Sequence, residues 1–153
     1  MIRTKLRKSL KQISQLRSLE RAHSEIQLHE AIEADAKCQS DVDAAKTKVR
    51  GAVDAWSSYL GSSLSNPDIS SALAEELISA EALSDLAHEA ADASGARLAT
   101  QQDSCAQAIY LDELAEKSLR RAYRADRLHM DRVRQAALEE RSSFLFGGTD
   151  DSH

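Results

Sequence analysis

Chain-breaking residues are nearly absent from this 153-residue sequence, and those present are gathered in one place. The only proline, Pro67, sits in GSSLSNPDISS, residues 61–71, with Gly61 and five serines. Proline fixes its own φ and drives the residue before it out of the helical region, so Asn66-Pro67 marks a reversal. Elsewhere the chain is rich in Ala, Leu, Glu, Lys, Arg and Gln, all strong helix formers, and no strand-like alternation runs for any length. These features predict an all-α chain of two long helices around one turn.

Composition agrees with that shape. Twenty-five residues are Ala, and Leu, Ile, Val and Phe together supply only 31 of 153. That is near the level at which a thick globular core becomes hard to build, so closely approaching helices are favoured. No apolar run approaches the roughly 20 residues of a membrane span. The basic N-terminus, MIRTKLRKSL, lacks the apolar stretch of a signal peptide. Cys38 and Cys105 form no disulfide framework. Together these predict a cytoplasmic protein with no membrane insertion.

The first helix is expected over about 4–60. Its apolar residues recur at threes and fours as Leu6, Leu10, Ile13, Leu16, Leu19 and Ile26, then as Val42, Lys46, Val49, Val53, Trp56 and Leu60. Asp35, Gln39 and Lys46 fall on or near this seam, where polar residues set register. After a turn near 61–69, Asp68 or Ser70 caps a second helix over about 70–143. Its stripe runs Leu73, Leu77, Leu83, Leu86, then Leu98, Cys105, Ile109, Leu119, Tyr123, Met130 and Val133. Gly95 is its weak point, costing roughly 1 kcal/mol in a helix interior, and is read as a kink rather than a break. The fold is thus a long antiparallel two-helix coiled-coil hairpin forming a single domain, with a short tail over 144–153.

With the turn centred near residue 65, residue i lies opposite roughly 130 − i, at about 1.5 Å of rise per residue. Met1 then faces about His129, and the second helix overhangs its partner from Met130 onward. Charge follows the same division. Residues 1–21 hold seven basic residues against Glu20, and residues 117–141 hold eight against four acidic. Residues 22–116 hold five basic against eighteen acidic. A hairpin therefore brings two basic stretches to one end. Like charges on paired helices repel, so the clustering predicts an acidic partner.

Other motifs lead nowhere. HEAAD, residues 88–92, places His88 and Asp92 on one helix face but suggests no third metal ligand. Cys38 pairs by register with residue 92, not with Cys105. No nucleophile elbow or phosphate-binding loop occurs, so no enzyme activity and no cofactor are expected. The basic N-terminal segment lacks the base-reading pattern of a basic-zipper region, and nucleic-acid binding is not expected.

The layout resembles the FliJ/YscO family of type III secretion systems. The resemblance covers the chain and rests on its length, the two-helix coil, MIRTKLRKSLKQISQLRSLER at the start and KSLRRAYRADRLHMDRVRQAALEER near the end. It implies a central stalk or escort protein whose paired termini enter the hexameric secretion ATPase. Its shaft or tip would contact an export-gate protein or secretion chaperones. On that resemblance Arg3, Lys5, Arg7, Lys8, Arg120, Arg121, Arg124 and Arg127 are the candidate ring contacts. Phe144, Leu145 and Phe146 would insert into the ring or cap the coil. The competing expectation is a self-assembling structural or adaptor coiled coil, a weak homo-oligomer without any ATPase.

Overall fold

The structure is a computed structural model describing the backbone from Ile2 to Phe146 and the side chains of residues 4–145. Two helices, α1 (Ile2–Leu60) and α2 (Pro67–Phe146), pack against each other as a hairpin. No strand occurs among the described residues. Ser18 meets Asp112, Arg7 stacks over Tyr123, and Gly95 lies against Asp35. Each of these antiparallel pairs obeys the 130 − i register.

The ends of the helices differ from expectation by a few residues, for local reasons. Asn66, not Asp68 or Ser70, caps α2: its Oδ1 accepts the Asp68 N–H at 3.0 Å, and its carbonyl accepts the Ser70 N–H at 3.1 Å. Pro67 then occupies the first helical position, where a missing N–H costs nothing. α1 stops at Leu60 without a left-handed glycine, since no described residue has positive φ. Instead the Ser62 N–H and hydroxyl both donate to the Tyr59 carbonyl, at 3.0 and 2.7 Å. Tyr59 closes the turn from the other side, its hydroxyl accepting the Asn66 N–H at 2.7 Å and donating to the Asn66 carbonyl at 2.6 Å.

α2 continues unbroken through Gly95. It also runs on to Phe146, so Phe144, Leu145 and Phe146 belong to its last turn rather than to a tail. Residues 147–153, the rest of the expected tail, lie outside the described residues, as does Met1.

The interior is a seam in which columns of small side chains run beside larger apolar ones. In α1 the buried and half-buried positions from residue 10 to 59 alternate strictly by four and three: Leu10, Ser14, Arg17, Arg21, Ser24, Leu28, Ala31 and onward to Trp56 and Tyr59. Ser24, Ala31, Cys38, Ala45 and Ala52 form one column of it, spaced by seven. The matching column of α2 includes Ala80, Ala87, Ser94, Ala108, Ala115 and Ala122. Side chains this short let helix backbones approach along these columns, while Leu28, Val42, Val49 and Trp56 of α1 and Leu73, Leu77, Leu98 and Leu119 of α2 fill the other seam positions.

This corrects the expected stripe. Leu10, Val42, Val49 and Trp56 lie in the seam, as do Leu73, Leu77, Leu98, Cys105 and Leu119. Leu6, Ile13, Leu16, Leu19, Ile26, Lys46, Val53 and Leu60 do not; each is exposed. So are Leu83, Leu86, Tyr123, Met130 and Val133. The burial phase follows the small residues, which a reading based on large apolar ones misses.

Contacts divide the hairpin into two compact units: a base unit, Met1–Arg21 with Ala108–His153, and a turn unit, Ala22–Gln107. The turn unit holds most of the buried residues, among them Val42, Ala45 and Ala52. It also holds two buried oxygens with no hydrogen-bond partner, Asp35 Oδ1 and Gln101 Oε1.

Candidate protein-docking surface

The base unit contains both basic stretches of the sequence. Its seam tolerates them because carboxylates occupy seam positions on α2. Asp112 accepts from the Ser18 hydroxyl at 2.9 Å and from Arg21 at 3.3 Å. Asp126 pairs with Arg7 at 3.5 Å, and the Arg7 guanidinium lies 5.6 Å from the centre of the Tyr123 ring. Arg17 pairs with Glu20 at 2.7 Å along α1. These pairs are partly solvated, so each contributes under about 1 kcal/mol. Their larger effect is to offset like-charge repulsion between the two helices.

The remaining charges are sorted by helical phase. In an antiparallel pair, positions just after the seam on both helices face one broad side, and positions just before it face the other, because successive residues turn by about 100°. After the seam come Lys8 and Lys11 on α1 and Arg120, Tyr123 and Arg127 on α2. Thr4, Arg7, Lys8, Lys11 and Tyr123 line one shallow groove there. Arg120, Tyr123, Arg124 and Arg127 line another. Of these cations Arg7 and Arg120 have ion pairs, Arg120 with Glu116 one turn away. Lys8, Lys11, Arg124 and Arg127 have no carboxylate partner among the described residues. The result is a basic side centred on an aromatic ring.

The other broad side is apolar. Before the seam come Leu6, Ile13 and Leu16 on α1 and Leu111, Leu114, Ala125 and Leu128 on α2. At its end Leu6, Ala122, Ala125 and Leu128 line a groove of about 420 Å³ together with Arg7, Asp126, His129 and Arg132.

The candidate ring contacts do not form one cluster. Lys8, Arg120, Arg124 and Arg127 gather on the basic side, and Arg7 borders it from the seam. Lys5 is exposed on the outer face of α1, and Arg121 belongs to the apolar side. Arg3 lies in α1 and Phe146 in α2, but their side chains are outside the described ones. From Arg127 to Leu145 every residue of α2 is exposed, with Phe144 at 89 % and Leu145 at 78 %. This matches an overhanging second helix.

Lys11 and Tyr123 are members of the basic side that charge counting alone did not single out. Their signal is the seam phase, since each directly follows a seam residue. At the turn, Leu60, Leu64 and Ile69 are exposed, giving apolar character to a segment that reads as mostly polar. Among the described residues no cluster could hold a metal ion, and no helix is long and apolar enough to cross a membrane. No family model matches the chain, and no curated protein or solved structure is significantly similar to it.

Proposed function

We propose that this chain is a non-enzymatic stalk or escort protein of a type III secretion apparatus, docking through the basic side of its base unit into the hexameric secretion ATPase. The turn unit is then left to meet an export-gate protein or a secretion chaperone. What supports the reading is one juxtaposition. Lys8 and Lys11 from the start of the chain share a broad side with Arg120, Arg124 and Arg127 from near its end, around Tyr123. Cations of which all but Arg120 have no carboxylate partner among the described residues form a surface suited to an acidic ring mouth. Contacts of that kind are screened over about 10 Å at 0.1 M salt, so docking is fast, salt-sensitive and reversible.

The test is ATP turnover by a candidate type III secretion ATPase, with this protein titrated in at low and moderate salt. Saturable stimulation is expected, weaker at the higher salt. The triple reversal Arg120→Glu/Arg124→Glu/Arg127→Glu should abolish it while helicity by circular dichroism stays unchanged. Equal stimulation by the reversed variant would remove the basic side from the account.

A further inference from the structure

We infer that the apolar broad side of the base unit docks a second copy of this chain, forming a four-helix dimer. This rests on different residues from the ATPase reading and stands or falls separately.

The chain has few large apolar side chains, and in the base unit several of them lie outside its own seam, where only Leu10 and Leu119 are both large and apolar. Leu6, Ile13 and Leu16 are 59, 47 and 54 % exposed, and Leu114 and Leu128 are 47 and 60 % exposed. Between the helices stand Ser14, Ala108, Ala115 and Ala122 instead. Scattered exposed apolar residues need no explanation, but four leucines and an isoleucine on one side of a helix pair form a surface that water solvates poorly.

Two features favour a second copy over an unrelated partner. The first is level. By the observed register Leu16 lies level with Leu114, and Leu6 with residue 124. A two-fold axis running along the hairpin therefore lays α1 of one copy on α2 of the other. Leu16 meets Leu114 of the second copy, Leu6 meets its Ala125 and Leu128, and the same contacts repeat across the axis. An isologous interface needs this self-complementarity.

The second feature is charge. The base unit is basic, which would oppose pairing if its cations faced the interface. Lys8, Lys11, Arg120 and Arg127 instead lie on the opposite broad side and point away from the second copy. On the apolar side the charges are Glu20, already paired with Arg17, and at its end Arg7 and Asp126, paired with each other, with Arg121 and Arg132 at its margins.

The area sets the strength. A face about 25 Å long and about 20 Å wide covers about 500 Å² per copy, or about 1,000 Å² in all. That is the lower limit for a specific interface, so the dimer should be reversible and concentration-dependent rather than obligate.

Sedimentation equilibrium on the full chain, over a range of protein concentrations, reads this directly. A monomer–dimer equilibrium is expected. Leu16→Glu/Leu114→Glu should weaken it by at least about tenfold, as truncating central interface residues does. Lys8→Glu/Arg127→Glu, on the other side, should leave it unchanged. Circular dichroism confirms that each variant is folded, and the milder Leu16→Ser/Leu114→Ser pair serves if the glutamates disturb the helices. A chain that remains monomeric at every concentration overturns the inference. So does association that survives both apolar-side variants, or that is weakened only by the basic-side variant.

Discussion

Tyr59 carries more of the reversal than its neighbours, because one hydroxyl both accepts from and donates to the backbone of Asn66. It also occupies the last seam position of α1, so packing and turn closure meet in one side chain. Tyr59→Phe keeps the ring and removes both bonds. It should cost about 1 kcal/mol in urea unfolding, and a variant as stable as the parent would show that Asn66 and Pro67 hold the turn unaided. Gly51 presents the opposite case. A Cβ there would meet nothing within 4 Å, so Gly51→Ala should stabilise the chain by about 0.4–1 kcal/mol, raising its thermal midpoint. Asn66 was legible as a helix breaker but not as the cap, since Asp68 and Ser70 offer equally good capping groups in sequence. Only the position of Pro67, at the first helical residue, decides among them.

At the scale of the helices, the hairpin and its register were legible, because scarce breakers and one turn leave few alternatives. The phase of the seam was not. Large apolar residues such as Ile13, Leu16 and Val53 suggested the interior, yet the column Ser24, Ala31, Cys38, Ala45, Ala52 occupies it. A seven-residue spacing of small side chains is a weak signal in a chain with 25 alanines. The structure makes that column the most sensitive part of the turn unit. Ala52, 6 % exposed, has no room for a large side chain without separating the helices, so Ala52→Leu should destabilise by about 1–3 kcal/mol. Val53→Leu, one residue on and exposed, should change stability by less than about 0.5 kcal/mol. Equal effects at the two positions would mean that the seam phase is wrong.

For the molecule as a whole, the base unit presents two unlike broad sides, one basic and one apolar, while the ion pairs between them offset the like-charge repulsion of its helices. Charge counting located this end of the chain but not its two-sidedness, which depends on the seam phase and hence on the small residues. The two sides make separable predictions, ATPase docking on one and self-association on the other. The most direct measurement is equilibrium binding of the full chain to a candidate secretion ATPase hexamer, comparing Lys8→Glu/Arg120→Glu/Arg127→Glu with Leu16→Ser/Leu114→Ser. The basic-side variant is expected to lose binding and the apolar-side variant to retain it. Undiminished binding by the basic-side variant, or no binding by the unmodified chain, would contradict the proposed function.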